Sequence, residues 1–188
     1  MRYPTDIDGN ELYAIDNDWA NGWGYLMKNG KQIYARKANR DEYYFQNKSG
    51  EYPAKKKNGE SYYAQTSNYE DIYPEMKNTR QFYLQDSAGN ERYAIGENNQ
   101  FYAKDEDKFE YLARRNKKYY YAQDNSGNEI YPKTASNLNY YRLANETEHC
   151  AQNEEGNLYY ARDEHGQEFY PSKTIEDKAI REVNNSEI

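Results

Sequence analysis

Tyr121-Ala122-Gln123-Asp124-Asn125-Ser126-Gly127-Asn128-Glu129-Ile130-Tyr131-Pro132 carries the pattern that decides the fold. Its centre, Asp124-Asn125-Ser126-Gly127, is a four-residue turn in which Asp satisfies backbone donors and Gly supplies the positive φ that closes a type I turn with a bulge. Its flanks alternate large and polar side chains over a few residues, which is a strand signal.

Outward from this stretch the pattern repeats along the whole chain. Tyr recurs at 3, 13, 25, 34, 44, 52, 63, 73, 83, 93, 102, 111, 121, 131, 141, 160 and 170, with Cys150 in the one missing place. Ten of the 17 intervals equal ten residues and four equal nine, as loop-length changes between identical units produce. All five prolines (Pro4, Pro53, Pro74, Pro132, Pro171) directly follow one of these tyrosines, and eight further anchors are followed by Ala. Seven of the eleven glycines lie four residues before an anchor. The residue before the anchor is mostly large and apolar or aromatic, as in Ile33, Tyr62, Phe101 and Ile130.

These observations predict an all-β fold of tandem β-hairpins, with about ten residues per strand unit. Proline lacks the N–H that a flanked strand must donate, so it belongs at an edge, a strand end or a bulge. The spacings of 21, 58 and 39 residues from Pro53 onward approximate whole steps of twenty. They predict a hairpin of about twenty residues, as in Tyr63/Tyr73, Tyr121/Tyr131 and Tyr160/Tyr170, stacked into an elongated solenoid; a single-layer meander is the alternative. The array is expected over 1–173. Residues 174–188 form a tail in which Thr174 would cap a short helix carrying Ile175, Ala179, Ile180 and Val183 on one face. The period of two places the residue before the anchor and the Ala or Pro after it on one face, the expected core. The anchor tyrosines are expected to be partly buried, with their hydroxyls at the surface.

The composition fits a thin ordered structure. Mean hydropathy is -1.40 over 188 residues, yet 24 of them are Tyr, and aromatic wealth is foreign to disordered chains. The net charge of -7 and the absence of a basic stripe in the sequence argue against nucleic acid. No apolar run approaches a membrane span, no signal peptide is expected at the N-terminus, and a single cysteine excludes an internal disulfide framework.

No enzyme is expected. The two histidines, His149 and His165, fall in different units, and Cys150 beside His149 would point to the opposite face of a strand. Asp6-Ile7-Asp8-Gly9-Asn10-Glu11 resembles the front of a calcium loop, but later copies such as Asp86-Ser87-Ala88-Gly89 keep only the first Asp, so turn chemistry is the expectation and no metal or cofactor is assigned. The remaining candidates are aromatic side chains able to stack on a ligand: Trp19, Trp23, Tyr25, Tyr34, Tyr63, Tyr121 and Tyr160.

Gly22-Trp23-Gly24-Tyr25 followed by Asn29-Gly30-Lys31-Gln32-Ile33-Tyr34 resembles the aromatic hairpin repeats of bacterial cell-wall and choline-binding proteins. That resemblance implies stacked hairpins of about twenty residues and a carbohydrate- or choline-binding module. The family repeats its Gly-Trp pair in every unit; here the pair occurs once. The Tyr- and Asn-rich short repeats are also similar in composition to proteins of large arthropod DNA viruses. The functional expectation is a non-enzymatic structural or interaction protein presenting a tyrosine-rich surface for assembly or adhesion, in a viral or cell-surface setting. A protein partner or self-association is expected, and a glycan is the alternative ligand.

Overall fold

The computed structural model describes residues 2–13, 24–139 and 151–169, and these are all β, with no helix among them. The helix expected after Thr174 lies outside the described residues.

The founding stretch is one complete hairpin. Ala122 pairs with Ile130 and Gln123 with Glu129, antiparallel. At the tip, Gly127 N–H donates to the Asp124 carbonyl at 3.1 Å, and Gly127 sits at φ 92. Asp124 Oδ1 accepts the N–H groups of Ser126 and Asn128, both at 2.9 Å. These bonds explain the Asp and the Gly three residues later. Two nine-residue steps instead close with two-residue turns, Asn29-Gly30 and Asn116-Lys117, in which both residues have positive φ, matching the twist of the arms.

Each ten-residue unit is therefore a hairpin with arms of two or three residues, and the twenty-residue hairpin is corrected. The anchor tyrosines occupy the corners between consecutive hairpins rather than positions within a strand. The period-of-two argument does not reach them, which is why the expected core face supplies only part of the core. Anchor tyrosines form the core, from Tyr121 at 2% exposed to Tyr63 at 7%, whereas the preceding residues are half-buried. The Ala after the anchor is fully buried, and Leu84, in the same position after Tyr83, is 3% exposed.

Two anchors also shift by one residue. Tyr52 and Tyr111 pair across their hairpins with Phe45 and Ala103, in the position before the corner. The corners themselves are Pro53 and Leu112. With this register the irregular intervals around Tyr52 become nine and ten residues, and Pro53 no longer follows an anchor but replaces one.

Hairpins stack on the hairpin three units later. Gln81 N–H donates to the Lys104 carbonyl at 2.8 Å, and the Gln81 side-chain oxygen accepts Lys104 N–H at 3.0 Å. The same double rung joins Glu11 to Arg36, Gln32 to Lys55, Glu51 to Glu75, Glu110 to Lys133 and, across a longer interval, Glu129 to Arg162. Glu or Gln recurs two residues before the corner because its side chain serves as a second acceptor that the backbone there cannot supply. The chain thus winds with three hairpins per turn, in three columns. The first holds hairpins 4–12, 35–43, 64–72, 94–101, 122–130 and 161–169. The second holds 45–52, 74–82, 103–111 and 132–139. The third holds 26–33, 54–62, 84–92, 113–120 and 151–159. Consecutive hairpins are not paired with each other, so the single-layer meander is not formed.

Candidate functional site

Of the aromatic side chains expected to bind a ligand, Tyr25, Tyr34, Tyr63 and Tyr121 belong to the interior file of rings. Successive anchors meet edge to face, with centroids 5.5 Å apart for Tyr25 and Tyr34, 5.3 Å for Tyr63 and Tyr73, and 5.4 Å for Tyr121 and Tyr131. This geometry matches the ring quadrupole and adds to the area each ring buries.

Their hydroxyls are consumed as well. In hairpin 54–62, Tyr62 N–H donates directly to the Ala54 carbonyl at 3.1 Å. The reciprocal bond is opened, and the Tyr34 hydroxyl is inserted into it, accepting Ala54 N–H at 2.9 Å and donating to the Tyr62 carbonyl at 2.5 Å. Tyr73 does the same between Ala94 N–H at 2.9 Å and the Phe101 carbonyl at 2.6 Å. Tyr63 bridges Leu84 and Arg92, Tyr83 bridges Ala103 and Tyr111, Tyr93 bridges Ala113 and Tyr120, and Tyr102 bridges Ala122 and Ile130. One phenol thus satisfies both a buried donor and a buried acceptor at the base of a later hairpin. The expected surface hydroxyls are corrected to internal ones. The tyrosines before the corners tie the stack in the opposite direction: Tyr111 donates back to the Gln81 carbonyl at 2.6 Å and Tyr120 to the Glu91 carbonyl at 2.7 Å.

Burial sets the acidity of these phenols. It pushes Tyr3 and Tyr111 up to about 12 and holds Tyr34, Tyr73, Tyr83, Tyr93 and Tyr102 further above the ordinary phenol range. Of the other candidates, Tyr160 is half-buried and packed against the core, and Trp19 and Trp23 lie outside the described residues. The structure gathers Tyr25, Tyr34, Tyr63 and Tyr121 into a scaffold file rather than a cage with open ring faces.

The two corners without a phenol are the exceptions that show how the file works. Pro53 stands where a tyrosine would reach the base of hairpin 74–82, and that hairpin begins with Pro74, which has no N–H to offer. Leu112 stands in the same relation to hairpin 132–139, which begins with Pro132. Pro74 and Pro132 are each under 2% exposed. A missing hydroxyl and a missing donor thus coincide, and no amide is orphaned. Pro4 is exposed in the first hairpin, which no earlier anchor precedes. In sequence, the non-tyrosine position Cys150 is likewise followed by Pro171; both lie outside the described residues.

Clefts open beside these corners. One of about 440 Å³ is lined by Arg80, Glu91, Asp105, Tyr111, Leu112 and Arg114 among others. Its aromatic faces are already covered: the Arg80 guanidinium lies 5.1 Å from the Tyr111 ring and the Arg114 guanidinium 4.6 Å from the Tyr119 ring. Glu91, like Glu51, Glu110 and Glu129, is raised above the usual carboxylate range by burial and accepts a backbone N–H in a stacking rung.

In the candidate calcium loop, Asp6 Oδ1 accepts Asp8 and Asn10 N–H at 2.9 and 2.8 Å, and Oδ2 accepts the Asn10 amide at 3.0 Å, so both oxygens serve the turn. Among the described residues no group of three or more His, Cys, Asp or Glu side chains is placed to hold a metal, and no helix is long and apolar enough to cross a membrane. His149 and Cys150 lie outside the described residues; His165 is exposed beside Glu164 at 3.5 Å. Compared with protein-family models, with curated proteins and with solved structures, the chain matches none.

Proposed function

We propose that this protein is a non-enzymatic structural scaffold, a stiff rod of hairpins that acts by assembling with protein partners or with further copies of itself. The observation that carries this reading is the internal use of the corner tyrosines from Tyr25 to Tyr131, ring and hydroxyl alike. The most repeated residue in the chain is committed to holding the rod together, and what the rod offers to partners is its outer turns. The viral or cell-surface setting expected from composition belongs with this proposal.

Sedimentation velocity over a wide concentration range tests it. Oligomers that grow with concentration are expected, and a strict monomer at the highest concentration removes the self-assembly arm. Binding across a glycan array, with a change in Tyr fluorescence, would instead move the assignment to the carbohydrate module.

A further inference from the structure

The sequence shows only short basic clusters, Lys55-Lys56-Lys57 and Arg114-Arg115 with Lys117-Lys118, separated by more than fifty residues. Stacking at every third hairpin brings them onto one side. Hairpins 26–33, 54–62, 84–92 and 113–120 of the third column together carry ten Lys and Arg (Lys28, Lys31, Lys55, Lys56, Lys57, Arg92, Arg114, Arg115, Lys117, Lys118) against three acids. Nearly all of these cations are exposed. The next hairpin of that column, 151–159, adds only Glu154 and Glu155.

The first column is its inverse. Its six hairpins carry 13 acids and four basic residues, and from 64–72 through 122–130 it holds acids alone. The second column balances six of each. A chain with a net charge of -7 is therefore a three-sided rod with one basic, one acidic and one neutral side.

We propose that the basic side of one copy docks against the acidic side of another, so that rods associate laterally. This rests on the scaffold reading above and names its contact. Two features select a second copy over other anionic partners. The complementary charge is present on the same molecule and advances at the same axial step, two strand spacings or about 9.6 Å per stacked hairpin, so rows of opposite charge can run in register. The aromatic faces of the basic side are also occupied: Lys31 lies 3.8 Å over the Tyr62 ring, Arg114 4.6 Å over Tyr119 and Arg115 4.3 Å over Tyr120. Single-stranded nucleic acid binding needs such faces free for bases. A contact that joins two different sides of the same molecule is heterologous, so copies add one after another, as an open series or, where the rotation closes, as a ring.

The test uses the full chain at about 0.01 M and about 1 M salt, where charges are screened beyond roughly 30 and 3 Å. Light scattering and sedimentation should show association at low salt and its loss at high salt. A variant with Lys55→Glu, Lys56→Glu and Lys117→Glu should raise the concentration for half-association at least about tenfold while leaving the circular dichroism spectrum unchanged. So should a variant with Asp8→Lys, Glu97→Lys and Glu164→Lys, which reverses the acidic side. Mixing the two variants should restore association, because each supplies the side the other lacks. Oligomers that ignore salt and both variants would overturn the lateral contact while leaving the scaffold standing; a monomer under all conditions would overturn the lateral contact together with the self-assembly arm of the scaffold reading. Tight binding of heparin or single-stranded DNA that displaces self-association would assign the basic side to a polyanion instead.

Discussion

The steps at Tyr83, Tyr93 and Tyr102 and the step at Leu112 perform the same turn of the same rod with different chemistry. In the first three, a phenol is inserted into the base of a later hairpin, between an Ala N–H and a carbonyl. At Leu112 the ring and its hydroxyl are gone, and the hairpin that would have received them starts with buried Pro132. Pro53 and Pro74 repeat the substitution. The difference teaches that the unit of design is the pair, hydroxyl plus amide, present together or absent together. An unpaired buried amide costs roughly 1–3 kcal/mol, enough to make either half alone a liability.

The largest effect that would expose this comparison is alkaline. Folded phenols with raised pKa values bind protons that the unfolded chain, with phenols near 10, has released. Their stabilisation is therefore complete below about pH 10 and is lost as pH rises further. Titration should show no gradual ionisation of the file. The file's share of the tyrosinate absorbance should instead rise in one step together with loss of β-structure.

Next in size is the ring itself. Tyr93→Ala should cost about 3–5 kcal/mol in urea unfolding, the range for emptying an aromatic site in a core. Tyr93→Phe, which keeps the ring and removes the bridge, should cost about 1–3 kcal/mol.

A double-mutant cycle then tests the pair directly. Ala113→Pro should be strongly destabilising in the parent but less so in the Tyr93→Phe background, with a coupling of about 1 kcal/mol. Equal costs in both backgrounds would break the comparison. In reverse, Leu112→Tyr should be tolerated better when combined with Pro132→Ala than alone. The smallest contrast lies in the turns. Gly50→Ala should destabilise more than Gly89→Ala, since a Cβ at Gly50 would meet the Glu75 carbonyl oxygen at 2.6 Å, whereas one at Gly89 meets nothing within 4 Å.

Much of this was legible in the residues. The tyrosine period, the Asp-to-Gly turn and the all-β class follow from Tyr121 through Tyr131 alone. The register slipped where two adjacent residues competed for the corner, at Tyr52-Pro53 and Tyr111-Leu112, because the period tolerates nine as readily as ten. Proline spacing suggests a hairpin twice the true length when proline is taken to mark a strand edge. Its position follows instead from which earlier corner lacks a phenol, a relation some twenty residues long. The burial of Tyr25, Tyr34, Tyr63 and Tyr121 is hidden for a related reason: an aromatic ladder looks alike in sequence whether its faces are open or buried. The basic side is invisible in sequence because Lys57 and Arg114 come onto one column, with hairpin 84–92 between them, only through hydrogen bonds between every third hairpin.

The direction of the phenol bridge has a consequence for how the chain comes to be folded. Tyr93 finds its donor at Ala113 and its acceptor at Tyr120, both downstream. During synthesis each ring leaves the ribosome well before its socket exists, and the first stacked contact waits for the fourth hairpin. After that nucleus, hairpins through 132–139 close loops of nearly the same length, so the entropic cost of growth stays nearly constant, and only the hairpins after the wider step from Glu129 to Arg162 close longer ones. Relative contact order falls as the array lengthens. Repeats can be added without slowing the fold, and the slow step belongs to the first turn alone.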